Sequence, residues 1–182
     1  MDTNFFGPMI LTRLVIPAMR QRRSGSIVQI SSTTGLEAKP SRSLYSGSKF
    51  ALEAMSEALY HEVKPLGIRV LVVEPGWFGT GFSHALVRPA APLPEEYNGT
   101  PMKEMFDATI ALAGAKAPND TDKACKNIFD AVTKSGAAEE MEETIRLPLG
   151  KDCVERIKTK IEEHRNMLDV TEKLWSSVDV DE

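Results

Sequence analysis

Cysteine is scarce in this chain of 182 residues: Cys125 and Cys153 are the only two. They lie far apart and fit no metal or redox spacing, which excludes a disulfide scaffold and a thiolate metal cluster. Two neutral thiols in a reducing compartment are the expectation. Histidine is nearly as sparse. His61, His84 and His164 are scattered, with no second ligand at metal-site spacing, so no metal is assigned. Long apolar runs are missing too. The most apolar opening stretch, residues 5–19, is interrupted by Arg13, Pro8 and Pro17 and is too short to cross a bilayer. With no membrane span and a net charge of -4, the chain reads as a cytoplasmic protein with no electrostatic ground for binding nucleic acid.

The remaining composition is that of a globular domain, 42% hydrophobic and 26% charged. Its length suffices for one domain with a proper core. Residues 1–69 hold nine Lys/Arg against five Asp/Glu, so the acidic excess belongs to the remainder. Arg20, Arg22 and Arg23 read as a solvated helix end.

Apolar spacing predicts an amphipathic helix over residues 4–22. A β-branched run at 26–30 then reads as a buried parallel strand ending at Ser31 and Ser32. Residues 33–42, with Gly35 and Pro40, read as loop. From Ser43 the positions Leu44, Phe50, Ala51, Met55, Ala58, Leu59 and Val63 lie on one face of a long helix stopped by Pro65 and Gly67. Residues 68–73 form a second apolar strand. Strand, helix and strand in this order imply a right-handed crossover onto a parallel sheet, and hence an α/β fold. Residues 77–101 carry Pro89, Pro92, Pro94 and Pro101 and few charges. So long a connection after a parallel strand suits a substrate loop, reaching with the following helix to about 77–110. Asn119 or Asp120 caps a helix through Val132. A strand is expected at 144–149 and a helix at 152–168. The segment around Trp175 is expected to pack back on the body, and residues 178–182 to fray.

Chemistry concentrates in Ser32, Tyr45 and Lys49. A tyrosine and a lysine four apart share one helix face. The Lys49 ammonium then favours the Tyr45 phenolate and draws its pKa down from about 10. A serine thirteen positions earlier, at a strand end, can present its hydroxyl to the same volume. An acid/base beside a carbonyl-positioning hydroxyl suits proton transfer coupled to alcohol–ketone interconversion. Tyr-x-x-x-Lys alone is a weak signal, because Tyr60 and Lys64 repeat it on the same helix. Tyr60 has Gly47 rather than serine thirteen residues before it and lies near the helix's carboxyl end, so it reads as structural. Alternation along the strand turns Ser31 away and selects Ser32.

Three stretches together resemble the short-chain dehydrogenase/reductase family, and within it the 17-beta-hydroxysteroid dehydrogenase-like oxidoreductases. They are Ile27-Val28-Gln29-Ile30-Ser31-Ser32, Tyr45-Ser46-Gly47-Ser48-Lys49 and Val73-Glu74-Pro75-Gly76-Trp77-Phe78-Gly79-Thr80. Asp2-Thr3-Asn4-Phe5-Phe6-Gly7 resembles the family's helix asparagine, and Arg146-Leu147-Pro148-Leu149-Gly150 its late strand. The resemblance implies a Rossmann-type doubly wound parallel sheet and NAD or NADP as cofactor, with a slight preference for NADP that no residue here carries. It implies catalytic roles for Ser32, Tyr45, Lys49 and Asn4, the last in a water-organising proton relay. It implies cofactor contacts from Tyr45, Lys49, Pro75, Gly76, Phe78 and Thr80. The substrate it implies is a small apolar alcohol or ketone, and the helices at 4–22 and 43–63 resemble those that pack between subunits in a homo-oligomer.

The family's opening Thr-Gly-x-x-x-Gly-x-Gly turn and its Asn-Asn-Ala-Gly strand do not occur in this sequence. Met1 is therefore read as an internal methionine serving as a start, and residues 1–182 as the C-terminal part of one NAD(P)-binding domain. A catalytically silent remnant, acting through subunit pairing, is the rival reading.

Overall fold

The computed structural model describes residues 1–82, 85–112 and 115–180. Of the positions named above, His84 and residues 181–182 lie outside these. Three strands form one parallel sheet in the order β1 (Gly25–Ile30), β2 (Ile68–Pro75), β3 (Arg146–Leu149). Gly25 stands opposite Ile68 and Ile30 opposite Val73, while Val72 to Pro75 pair with Arg146 to Leu149. β2 is central, and Val70, Leu71, Val72 and Val73 are all buried. This is the near-continuous apolar run expected of a parallel strand covered on both faces.

Side chains of β2 alternate between two cores. Ile68 and Val70 pack with Ile27 and with Leu59 and Val63 of α2 (Ser43–Val63), and Ile16 and Met19 of α1 (Gly7–Arg22) close over them. Leu71 and Val73 pack instead with Leu149 and with Ala131 of α4 (Thr121–Thr133). Helices thus cover both faces, the doubly wound α/β arrangement the sequence implies. β1 pairs only with β2 among the described residues, leaving its other edge open, and Ile30 is exposed.

Local chemistry explains most boundaries. α2 ends in a 3-10 turn at Lys64–Leu66, closed by Gly67 at φ +74, where a side chain would drive a Cβ into the Arg23 carbonyl. α3 (Pro101–Ala111) starts at a proline behind Thr100, whose hydroxyl accepts from the Lys103 N–H at 3.4 Å. Asp120 rather than Asn119 caps α4, its carboxylate accepting from the N–H groups of Asp122 and Lys123.

The helix expected at 4–22 runs through the prolines of the opening stretch: Pro8 lies in the first turn of α1, where its missing N–H is an orphan anyway, and Pro17 is carried inside the helix. Other expectations need correction. The helix opens with a π-helical turn at Asp2–Phe6. β3 begins at Arg146 rather than 144. The last helix, α5 (Lys151–Trp175), runs on without a break for roughly 37 Å. Trp175 does not fold back on the body. It is 52% exposed, and its indole N–H donates to the Leu168 carbonyl of its own helix. Without a proline or glycine between Lys151 and Trp175, nothing interrupts the helix to permit a return.

Candidate functional site

At the carboxyl end of the sheet four pieces of chain converge: the β1 end, the first turns of α2, the loop after β2 and the opening turn before α1. Ser32 leaves β1 with extended backbone, and its hydroxyl oxygen accepts from the Thr34 N–H at 3.2 Å and faces the Thr34 hydroxyl at 3.0 Å. It therefore also caps a short 3-10 turn, Thr33–Gly35, as serines after strands do. Ser31 is buried on the other side, beside the Glu53 carboxyl, as strand alternation predicts.

Tyr45 sits half-buried in the first turn of α2 and Lys49 one turn on. The Lys49 ammonium donates to the Ile30 carbonyl at 2.8 Å and lies 5.9 Å from the Tyr45 ring centroid. Burial pushes the Lys49 pKa down, while the Glu53 carboxylate one turn further pulls it back up. The hydrogen bond to Ile30 therefore fixes the cation where β1 delivers Ser32. Asn4 joins the same cluster. Its side-chain amide donates to the Ser48 hydroxyl at 3.1 Å, and that hydroxyl donates to the Tyr45 carbonyl at 2.7 Å.

The second Tyr-x-x-x-Lys pair is built differently. Lys64 donates directly to the Tyr60 hydroxyl at 2.7 Å, at an exposed site at the far end of α2. Tyr60 leans on the Ile27–Val63–Val70 core. The pair nearest to ideal hydrogen-bond geometry is thus the one remote from the converging strand ends.

The loop after β2 is held tightly. The Thr33 hydroxyl donates to the Pro75 carbonyl at 3.0 Å, tying this loop to the one that carries Ser32. The Gly76 N–H donates to the Leu149 carbonyl at 2.8 Å. Phe78 packs into the second core, and Thr80 is exposed, its hydroxyl accepting from the Phe82 N–H at 3.3 Å. The Phe82 ring stacks at a tilt on Tyr45, with centroids 5.6 Å apart. Further along, Arg42, three residues before Tyr45, donates through Nη2 and Nε to the Thr109 hydroxyl of α3, at 2.9 and 3.2 Å. Segment 77–110 therefore both begins and ends against the turn that carries Tyr45.

Several residues of this region escaped the sequence reading. Asp152, in the first turn of α5, accepts from the Trp77 N–H at 2.7 Å and from the Asn119 amide at 2.8 Å. Asn119 also donates to the Trp77 carbonyl at 2.8 Å. Behind the site, Arg146 is shared among three carboxylates: Glu57 at 2.7 Å, Glu74 at 3.1 Å and Glu53 at 3.4 Å. Burial, and then the nearby Glu53 charge, push the Glu74 pKa up to about 7, against the pull of Arg146. Burial likewise raises Glu53. The sequence carried one usable sign of this cluster, a glutamate directly after the apolar run 70–73 of β2.

With the geometry in place, comparison with known proteins is informative. Residues 1–90 match the family model described as short chain dehydrogenase. A 3-ketodihydrosphingosine reductase of Bacteroides thetaiotaomicron is 49% identical over 83 residues, which cover 46% of this chain and 31% of that protein. The oxidoreductase claN of Passalora fulva is 41% identical over 116 residues, 64% of this chain and 52% of its own length. The chain thus spans from about a third to about half of these curated relatives. A crystal structure of a short-chain dehydrogenase from Streptomyces avermitilis superposes with a TM-score of 0.77 at 34% identity, over 96% of this chain and 60% of that one. No helix among the described residues is long and apolar enough to cross a membrane, and no group of His, Cys, Asp and Glu among them could hold a metal ion.

Proposed function

The chain belongs to the short-chain dehydrogenase/reductase family, and from that premise we propose that it forms the catalytic side of an NAD(P)-dependent oxidoreductase interconverting a secondary alcohol and a ketone. The observation that carries the reading is the meeting of Tyr45 and Lys49 with the end of β1, where Lys49 is anchored on Ile30 two residues before Ser32. Tyr45 exchanges a proton with the substrate oxygen, and the Ser32 hydroxyl holds that oxygen. Lys49, anchored on the Ile30 carbonyl, holds its ammonium beside the Tyr45 ring. Asn4 organises the water that leads the proton to solvent, a role supported by its tie through Ser48 to the Tyr45 backbone.

The residues at the reacting end suit a nicotinamide. The space a Cβ would take at Gly76 is filled by the Asp152 carboxylate, which fixes the strand-end backbone, and Thr80 offers an exposed hydroxyl. Tyr45, Lys49, Pro75, Gly76, Phe78 and Thr80 would hold that end, and the bound nicotinamide supplies or accepts the hydride. A pyrophosphate calls for a Gly-rich turn at a helix N-terminus, and no Gly-x-x-x-Gly-x-Gly occurs between Met1 and Glu182. In this reading residues 1–182 are one part of a single dinucleotide-binding domain, and residues 77–110 form the substrate loop. The substrate is apolar, in keeping with Phe82 stacked on Tyr45.

The test joins these residues behind the part of the Streptomyces avermitilis relative that they do not cover and follows NADH and NADPH oxidation with a panel of apolar ketones. Turnover with at least one ketone is expected. A folded chimera that binds cofactor yet reduces none would sink the proposal. A second reading rests on the outer face of α1, where Leu11 and Leu14 are 65% and 70% exposed. In that reading the chain pairs with related subunits through α1 and α2 without catalysis. Cofactor-independent association, with an inert chimera, would favour it.

A further inference from the structure

Asp152 and Asn119 are not among the residues assigned above to catalysis or cofactor contact, yet between them they hold both polar groups of the Trp77 backbone. The Asp152 carboxylate accepts from the Trp77 N–H at 2.7 Å, and the Asn119 amide donates to the Trp77 carbonyl at 2.8 Å. The two side chains also bond each other at 2.8 Å, closing a ring. A bridge between Phe78 and Asn119 extends the contact by one residue towards Thr80. Around this ring the chain leaves no slack. A Cβ on Gly76 would collide with the Asp152 carboxylate, and a Cβ on Gly150 would meet Asp152 Oδ1 at 2.6 Å and the Asn119 amide nitrogen at 2.8 Å.

Loops after parallel strands usually run over the surface with few fixed polar contacts. Here three segments distant in sequence converge on one peptide unit: the loop after β2, the residue before the α4 cap and the first turn of α5. Hydrogen bonds that involve a carboxylate are roughly twice as strong as neutral ones. An acidic residue in the first turn also suits the α5 dipole. That second effect accounts for an aspartate at this position, but not for its aim at Trp77 or for Asn119.

We propose that Asp152 and Asn119 are positioning residues: together they lock the Gly76–Thr80 backbone in the one conformation that presents the Phe78 backbone and the Thr80 hydroxyl to the nicotinamide. The proposal rests on the functional reading given above for what the loop contacts, but not for the lock itself. Neither residue touches the reacting atoms. The lock is charged on the α5 side and neutral on the α4 side, so the two partners are not interchangeable. Asn at position 152 still offers an oxygen to the Trp77 N–H, but turns an amide against the Asn119 amide.

Amide hydrogen exchange, resolved by residue in the isotope-labelled full chain, reads the lock directly. Asp152→Ala is expected to speed exchange at Trp77 by roughly tenfold to a hundredfold, the loss of one hydrogen bond to a charged group. Val70 and Leu71 in β2 are expected to stay protected, which separates local release from unfolding. Asp152→Asn removes the same charge from the α5 terminus but is expected to fall between wild type and Asp152→Ala at Trp77. Asn119→Ala is expected to release Trp77 less than Asp152→Ala, and the double variant to add little to Asp152→Ala alone. Equal exchange at Trp77 in wild type and Asp152→Ala overturns the proposal, as does an Asp152→Asn variant indistinguishable from Asp152→Ala. A parallel arm measures nicotinamide mononucleotide binding by saturation-transfer NMR. Binding by wild type that weakens in step with Trp77 release supports the nicotinamide role. Binding unaffected by a released loop overturns that role. No binding by wild type, with Trp77 still released by Asp152→Ala, counts against the functional reading of the loop while the lock stands.

Discussion

Replacing Glu74 by glutamine should make this protein more stable at alkaline pH and leave it nearly unchanged in acid. Glu74 is 1% exposed near the carboxyl end of the central strand, facing Glu53 of α2, the Arg146 guanidinium of β3 and, along its backbone, the Cys153 thiol of α5. Burial and the Glu53 charge raise its pKa from 4.5 to about 7, although Arg146 pulls the other way. A group that holds its proton more tightly folded than unfolded stabilises the fold fully below its unfolded pKa. That contribution disappears as the pH climbs through the folded value. Stability should therefore fall between about pH 4.5 and pH 7, the interval Glu74 itself spans. Each unit of difference corresponds to about 1.4 kcal/mol. Allowing for relaxation around the charge, a loss of roughly 2 kcal/mol is expected, and the neutral amide of Glu74→Gln avoids it. For a chain of this size that is a rise in Tm of roughly 4–8 °C at pH 8. Thermal unfolding followed by circular dichroism at pH 5 and pH 8 reads both limits. A variant less stable than wild type at pH 8 would mean that Arg146 more than offsets the burial of the carboxylate, and the reasoning would be wrong.

Arg146→Met removes the only guanidinium within salt-bridge reach of Glu53 and Glu74 among the described residues, and should cost roughly 3–5 kcal/mol near neutral pH in urea unfolding. The loss should shrink as the pH falls and the Glu74 carboxyl, whose pKa is pushed up to about 7, takes its proton; a loss independent of pH would contradict the assignment. Asp120→Ala should cost about 1 kcal/mol in the same assay, since one carboxylate satisfies two N–H groups of α4. Gly67→Ala should destabilise more strongly, because a left-handed backbone and the Arg23 carbonyl both exclude a side chain; a neutral effect would mean the turn can move. Residues 1–182 alone should not bind NADH or NADPH with micromolar affinity in a nicotinamide-fluorescence titration, for want of a Gly-rich phosphate turn. Saturable micromolar binding would contradict that.

The parallel unit of β1, α2 and β2 was legible because each element has a strong local signal. Runs rich in β-branched residues mark the strands even with Arg69 near the start of β2, Gly67 marks a stop, and Ser43 to Val63 keeps one apolar face throughout. α5 was legible only to Leu168. Its second half is polar on most sides, and the sequence says that it is helical but not what it rests on. Trp175 misled because a large aromatic near a chain end suggests burial, whereas here its indole is satisfied within its own helix. Of the site, Tyr45 and Lys49 share one face of α2 through the helix period, whereas Asn4 reaches them through Ser48 and was suggested by the family resemblance alone. Asp152 and Asn119 were not visible as partners of Trp77. Their contacts span 75 and 42 positions, and short polar side chains before or within a helix start read equally well as caps. The Glu53–Glu74–Arg146 cluster was missed for the same reason, since charge pairing across elements leaves no periodic trace.

The central claim is that Tyr45, and not Tyr60, is the proton-transferring residue. The most direct test compares Tyr45→Phe and Tyr60→Phe in the chimera with the Streptomyces avermitilis relative, with NAD(P)H-coupled turnover as the readout. Tyr45→Phe is predicted to lower kcat by roughly a hundredfold to ten-thousandfold while cofactor binding and Tm hold, and Tyr60→Phe to stay within a small factor of the parent. An active Tyr45→Phe beside a dead Tyr60→Phe would contradict the account.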